Sequence, residues 1–293
     1  MSRILVVGSQ GFIGSALIES LQLRNLEIYT IDVKDSNEPK HYKLDITNFD
    51  LVKKVVSKIQ PEIVVHLAAQ IDVRESFLDP VKDLEVNGRG LLNVLTQSIL
   101  SGCKNFCFIH SGGAIYDSKG KLPILENGSE LPVSPYGLTK SLGEGYVRVL
   151  CEKARINWSS LALSNCFGPV HEHGRGVIYQ FANSLMNGEG VTINGSETTR
   201  DFIYIEDVTA AIRLAIDNPT NCRVNISSGV ETNLIDLYSM ISGILEIRTS
   251  PKIVEATFGE ITRSALSNLR AKELLGWAPV NDFKTGLSKA LGK

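Results

Sequence analysis

The sequence predicts an α/β protein, a doubly wound parallel sheet with a smaller, sequence-interleaved C-terminal substrate lobe. Three observations carry that expectation. Strand and helix patterns alternate through the first half of the 293-residue chain. Strand-length runs such as Ile63-Val64-Val65-His66-Leu67 are apolar throughout, as strands covered on both faces are. The opening stretch, Arg3 to Leu23, reads strand, glycine turn, helix.

In that stretch Ile4-Leu5-Val6-Val7 leads directly into Gly8-Ser9-Gln10-Gly11-Phe12-Ile13-Gly14, and Ser15 to Leu23 carries apolar residues at helical spacing. Bare glycine backbone lets a pyrophosphate approach the N–H groups at a helix N-terminus. The G-x-x-G-x-x-G spacing is one residue wider at its start than the commonest dinucleotide fingerprint, and alone it fits a tight turn equally well. A second apolar run, Leu26 to Ile31, ends at Asp32, where a carboxylate can accept hydrogen bonds from an adenosine ribose. Gly8, Gly11, Phe12, Ile13, Gly14 and Asp32 are therefore candidate cofactor residues. Repulsion between Asp32 and a ribose 2′-phosphate favours NAD over NADP, with Lys34 as a contrary cation nearby.

Tyr42 to Ile46 reads as a short strand ending at Asp45, followed by a helix over Phe49 to Ile59. Asp45, with Ile46 beside it, has two readings: a partner for an adenine amino group, or an N-cap or turn acid. Leu67, Ala68 and Ala69 form a low wall after the next strand, at the edge where open parallel sheets bind ligands. Pro80 to Leu100 is helical in spacing, interrupted by Asn87 and Asn93. Asn105 to Ile109 is a strand, with His110-Ser111-Gly112-Gly113-Ala114-Ile115-Tyr116 at its end. A helix starts near Ser134-Pro135-Tyr136, with proline suited to the first turn, and runs toward Ala154. Trp158 to Leu163 is the next strand, broken by Asn165-Cys166-Phe167-Gly168-Pro169.

The second half alternates less cleanly, punctuated by Gly174, Gly176, Gly188, Gly190 and Gly195. Glu206 to Asp217 reads as a helix, Arg223 to Ile226 as a last strand, and Leu234 to Leu245 and Arg270 to Leu275 as helices of the smaller lobe. The expected division is a dinucleotide-binding domain over 1–168, with 203–228 returning to it, and a substrate lobe over 169–202 and 229–293.

A formal net charge of −2 offers no field for nucleic acid or anionic lipid, so neither is an expected partner. No apolar run reaches the length of a membrane span, and Met1-Ser2-Arg3 leads into a strand without room for a signal peptide. The five cysteines form no C-x-x-C, and several sit in apolar runs, which fits reduced thiols and a cytoplasmic location. His171 and His173 give no plausible ligand set, so no metal is expected.

The chemistry concentrates on Tyr136 and Lys140, four residues apart and one turn from each other on one helix face. A free phenol, with a pKa of about 10, is no base near neutrality. A neighbouring ammonium and the positive ring of an oxidised nicotinamide both favour the phenolate. On this reading Tyr136 is the base, Lys140 also holds the nicotinamide ribose, and Ser111 bonds the reacting hydroxyl or carbonyl. Alone, a core tyrosine beside a surface lysine would explain the pair. The glycine loop, the ribose acid and the strand-end serine shift the weight to catalysis.

Together these residues resemble the extended short-chain dehydrogenases/reductases, and within them the NAD-dependent nucleotide-sugar epimerases and dehydratases. The segment from His66 to Ser76 is similar to the one lining the cofactor in UDP-glucose 4-epimerase-like proteins. Ser111 to Tyr116 resembles their serine loop, Asn165 to Pro169 their Asn-x-Tyr-Gly-Pro, Arg200 to Asp207 their Arg-Asp-Phe-x-x-Val-x-Asp, and Leu274 to Pro279 their C-terminal signature. The resemblance covers nearly the whole chain and implies a Rossmann-type fold, retained NAD and a nucleotide-sugar substrate. It also implies proton removal by Tyr136 from the sugar C4 hydroxyl with hydride transfer to nicotinamide, and a 4-keto sugar that turns and takes the hydride back on its other face. Asn165 and Arg200 would contact the diphosphate, Val177 and Ile178 would lie near the nucleotide, and a homodimer would form through the helices around Pro80 to Leu100 and Tyr136 to Ala154. A salt bridge to Asp201 or Asp207 is the alternative for Arg200, and a helix-capping serine and a surface arginine suffice for Ser76 and Arg74.

Three departures stand out. Gly112 occupies the usual place of the helper Ser or Thr, one residue after Ser111; Ala162 stands where an arginine is usual; and Thr257 stands near another usual arginine. Gly113-Ala114 replaces the Asp-Glu pair of dehydratases, which moves a 4,6-dehydratase below an epimerase. A 4-keto-sugar reductase would use the same Ser111, Tyr136 and Lys140, while a non-catalytic dinucleotide sensor would tend to lose the Tyr/Lys pair.

Overall fold

A computed structural model describes residues 1–170, 176–255 and 261–293. His171, His173 and Gly174, and Thr257 near the second missing arginine, lie outside the described residues. The centre is a seven-stranded sheet of β1 (Ser2–Val7), β2 (Leu26–Asp32), β3 (His41–Lys43), β4 (Ile63–His66), β5 (Asn105–Ser111), β6 (Asn157–Leu163) and β7 (Arg223–Ile226). Its order is β7-β6-β5-β4-β1-β2-β3, and every pairing is parallel. The winding reverses between β1 and β4, which opens a crevice at their C-terminal ends.

Alternate side chains of each strand feed two separate cores. Ile4, Val6, Val65, Cys107 and Leu161 pack beneath the Phe12–Leu21 and Ile205–Asp217 helices. Leu5, Val7, Val64, Phe106 and Phe108 pack beneath Phe49–Ile59, Leu91–Leu100 and Pro135–Ala154. A strand with helices on both faces has no solvent side, which is why these runs are apolar without alternation.

The expected helix over Pro80 to Leu100 is helical throughout, but its middle, Glu85–Gly90, winds as a π-helix between Pro80–Leu84 and Leu91–Leu100. Gly90 permits this packing, since a Cβ there would lie 2.7 Å from the Ile46 side chain. A third core, with Phe167, Phe181, Leu237, Tyr238 and Leu287, belongs to the smaller lobe. Around it Asn165–Phe167 pairs with Phe202–Tyr204, Thr192–Asn194 with Lys252–Val254, and Thr199–Arg200 with Thr232–Asn233. Asn165 to Phe167 is thus a strand where the sequence suggested only a break. The helices Val73–Leu78, Val177–Met186 and Phe283–Ala290 were not anticipated either.

Candidate active site

The three glycines of the first loop have different reasons to be bare. Gly8 leaves β1 with φ +89°, and a Cβ there would lie 2.5 Å from Ala68 N, so the loops after β1 and β4 cross in contact. A Cβ on Gly14 would lie 2.2 Å from Gly8 O, because the helix packs on its own loop. Gly11 is exposed, caps the Phe12–Leu21 helix without a side chain, and a Cβ there would meet only Gly8 O, at 3.3 Å. Gly11 is therefore the open side of the turn. The side chains of Phe12 and Ile13 pack against core residues, so a ligand at this helix end meets their main chain.

Asp32 ends β2 half-buried, and each carboxylate oxygen accepts one main-chain N–H at 2.9 Å, Oδ2 from Gln10 and Oδ1 from Lys34. Those bonds use about two of its roughly four acceptor positions. The acid is thus held beside the glycine loop with capacity left for ribose hydroxyls. On the far wall Leu67 N donates to Val7 O at 2.8 Å, and Ala68 and Ala69 follow, half-buried.

Asp45 and Ile46, the two further cofactor candidates, follow the third strand of the sheet. The strand stops at Lys43, and exposed Asp45 closes a turn, its Oδ1 accepting from Thr47 N and Oγ1 at 2.9 Å each. Asn48 is the actual N-cap of Phe49–Ile59. The Ile46 side chain is in the core and its carbonyl accepts from Asn93 Nδ2 at 2.9 Å, so no side-chain contact with a ligand is available to it.

The proposed catalytic groups do converge. Ser134 Oγ caps Pro135–Ala154 by accepting from Gly137 N at 3.1 Å, and a Cβ on Gly137 would lie 2.3 Å from Ala114 O. That close approach seats the helix on the turn following Ser111. Ser76, buried rather than capping, accepts from Tyr136 N at 3.3 Å and further fixes the first turn. The result brings the Ser111 hydroxyl to the Tyr136 phenol, where it favours the ionised form. Gly112 faces the core instead, where a Cβ would lie 2.5 Å from Leu266 Cδ1 and 3.3 Å from Ala162 Cβ. Ser111, not position 112, therefore meets the phenol, and fully buried Ala162 sits where an arginine would have no room.

Lys140 lies one turn beyond, with Nζ 5.6 Å from the centre of the Tyr136 ring and 5.7 Å from that of Phe108. Burial pushes its ammonium down to about 8, opposed by the charge of Asp83. Burial also pushes the Tyr136 phenol up to about 12, against the Ser111 hydrogen bond, and Asp83 adds to the rise. In the protein without its cofactor, desolvation is the larger effect on the phenol.

On the substrate side, Asn165 N donates to Asp201 O at 2.8 Å. A Cβ on Gly113 would lie 3.6 Å from Ser264 Oγ, 3.7 Å from Asn165 Oδ1 and 4.0 Å from Ser111 Oγ, so three polar groups surround one bare glycine. The Arg200 guanidinium donates to the carbonyls of Thr199 and Ile261, each at 2.7 Å. Its alternative partners are engaged elsewhere: Asp201 accepts from Ser228, Gly229 and Leu266, and Asp207 from Val280 and Asn281. Val177 opens a helix half-buried, and the side chain of Ile178 is only 4% exposed and packed in the lobe core, which leaves its main chain for any contact with a ligand.

Sequence reasoning missed Asn87 and Asp83. Asn87 Oδ1 accepts from Gln70 N at 2.8 Å, and its Nδ2 donates to Gln70 O at 3.0 Å and to Asp83 Oδ1 at 3.1 Å, which fixes the loop after β4. The available signal was an amide interrupting an apolar helical pattern.

The sequence profile of the NAD dependent epimerase/dehydratase family matches residues 4–227. The chain belongs to this family. A relative from Methanocaldococcus jannaschii named putative UDP-glucose 4-epimerase is 34% identical, over 98% of this chain and 97% of its own length. The UDP-glucose 4-epimerase of Mycolicibacterium smegmatis is 31% identical, over 99% of this chain and 97% of its own. The solved Thermotoga maritima UDP-glucose 4-epimerase with UDP-glucose superposes with a TM-score of 0.93 at 31% identity, covering 99% of this chain and 97% of that one. Similarity to these members of the epimerase/dehydratase family thus runs through both the sheet and the smaller lobe.

Proposed function

We propose that this chain is an NAD-dependent nucleotide-sugar 4-epimerase acting on a UDP-sugar through a transient 4-keto sugar. The observation that carries this reading is the convergence of Ser111, at the C-terminal end of its strand, with the buried pair Tyr136 and Lys140, whose Nζ lies 5.6 Å from the centre of the Tyr136 ring. Bound NAD supplies the acceptor and donor of a hydride. The main chain at Gly11, Phe12 and Ile13 suits a pyrophosphate, Asp32 its adenosine ribose, Lys140 the nicotinamide ribose, and Leu67 to Ala69 the crevice wall. Asp45 remains near the adenine end through an exposed carboxylate.

Tyr136 takes the proton of the C4 hydroxyl, and Ser111 holds that oxygen and the phenol in one hydrogen-bonded set. Asn165 and Arg200 contact the diphosphate, the anchored guanidinium offering a planar donor fork, with the main chain near Val177 at the nucleotide. Exposed Val81, Leu84, Leu138, Leu142 and Val149 on two packed helices support a homodimer, for which sedimentation should give twice the chain mass. Five free cysteines fit a reducing cytoplasm.

The test begins with small molecules released from the purified protein, where mass spectrometry should find NAD. Incubation with UDP-galactose should then yield UDP-glucose with no net change in nicotinamide absorbance, and Tyr136→Phe should abolish turnover. Stoichiometric oxidation of reduced cofactor by a 4-keto sugar would replace this reading with a reductase. Unchanged turnover in Tyr136→Phe would remove the proposed base.

A further inference from the structure

Asp83 is completely buried, yet no lysine or arginine among the described residues pairs with its carboxylate. Its bonded donors are neutral: Gln70 Nε2 at 3.0 Å and Asn87 Nδ2 at 3.1 Å on Oδ1, and Thr139 Oγ1 at 2.6 Å on Oδ2. A buried carboxylate without a bonded cation is costly to fold around. The three donors come from the loop after β4, the π-helical turn and the helix of Tyr136, so this one side chain joins three segments that border the site. Thr139 directly precedes Lys140, and its hydroxyl also reaches Tyr136 O at 3.0 Å.

We propose that Asp83 is a positioning residue: its carboxylate locks the turn bearing Tyr136 and Lys140 against the Leu67–Gln70 loop, and its charge keeps Lys140 an ammonium. This rests on the reading of Tyr136 and Lys140 given above. The other charged and titratable groups around Lys140 do not substitute for Asp83. His66 on β4 and His110 on β5 are kept neutral by burial. Glu144, one turn on from Lys140, is committed to Arg223 of β7, which Glu130 also binds. Glu75 and Lys82, on the turns beside Asp83, pair with each other at the surface at 3.4 Å. That leaves Asp83 as the uncompensated negative charge, the one that supports the Lys140 ammonium against desolvation.

Asp83→Asn separates charge from shape. The amide oxygen still accepts from Gln70 and Asn87, while Thr139 turns to accept from the new NH2 and donates to Tyr136 O. In the NAD-loaded protein, kcat for UDP-galactose should fall about tenfold or more with KM within about threefold, and the alkaline limb of the pH profile should move down by about one unit. The titration midpoint of the Lys140 13Cε resonance, assigned by its loss in Lys140→Arg, should fall by the same amount. Thr139→Val, which keeps the charge and removes one tether, should lower kcat while leaving that midpoint in place. If Asp83→Asn does not fold, Asp83→Ser is a smaller neutral replacement with room for water, and the same fall is expected. An unchanged Lys140 midpoint in the neutral variant overturns the proposal. Absence of wild-type turnover on UDP-sugars would instead defeat the functional reading, and the resonance would still decide the role of Asp83.

Discussion

Ser111→Ala tests the core of the proposed chemistry, because one hydroxyl is expected to decide how much phenolate the site can hold. Burial drives Tyr136 up to about 12, and the Ser111 hydrogen bond acts in the opposite direction. A hydrogen bond to an ionised group contributes about 1.5–3 kcal/mol, equivalent to about 10- to 100-fold. Ser111 favours the charged form, so its loss raises the phenol further. The acid limb of the kcat profile should therefore move to higher pH by about one to two units, with kcat at neutral pH down about 10- to 100-fold.

The assay is the conversion of UDP-galactose to UDP-glucose, coupled to oxidation of the glucose nucleotide and followed across pH. Adding Gly112→Ser should not rescue the variant, because a Cβ at 112 would meet Leu266 and Ala162 in the core and would present no hydroxyl to the phenol. A Ser111→Ala enzyme with kcat within about twofold of wild type and an unmoved acid limb would refute the reasoning. So would recovery of activity in Ser111→Ala/Gly112→Ser.

Three further outcomes follow from the geometry. Gly14→Ala, whose Cβ would sit 2.2 Å from Gly8 O, should lose bound NAD together with native loop structure, whereas Gly11→Ala should fold and release NAD about tenfold more readily, read by equilibrium dialysis. Arg223→Leu should cost about 3–5 kcal/mol in urea denaturation by stranding buried Glu144, and Arg223→Leu/Glu144→Leu should recover most of that loss. His66 is held down to about 3 in the fold against about 6.5 in an unfolded chain, so its contribution to stability is full above pH 6.5 and lost on acidification, amounting to about 2 kcal/mol at pH 5. His66→Leu should flatten that slope in denaturation curves, leaving the part due to His110, which burial shifts the same way.

The sheet was legible because its strands are strongly patterned and covered on both faces, and because Gly8 and Gly14 are required by main-chain contact. Asp32, Tyr136 and Lys140 were legible from spacing, since strand and helix periods fix where such side chains emerge. The smaller lobe was read less well. Its paired segments are two or three residues long, such as Thr199–Arg200 with Thr232–Asn233, and are defined by tertiary pairing more than by local pattern. Ile178 was placed near the nucleotide by resemblance, and its side chain turns into the lobe core. Asp83 was invisible for another reason: Pro80 to Leu100 was read only as helical in spacing, and only the fold reveals that this acid is completely buried.

The same burial also revises how the catalytic pair works. Read from sequence, a lysine one turn from a tyrosine and the positive ring of an oxidised nicotinamide together supply the charge that makes a phenolate. In the folded chain burial penalises both ionised forms, raising Tyr136 to about 12 and lowering Lys140 to about 8. The protein by itself therefore holds Tyr136 as an acid, with Ser111 favouring its ionised form and Asp83 opposing it. Asp83 favours the charged forms on the lysine and disfavours them on the tyrosine, so the site is set to keep an ammonium and withhold a phenolate. On the proposed chemistry, base strength at Tyr136 is then conditional on further positive charge entering the crevice, as an oxidised nicotinamide would supply.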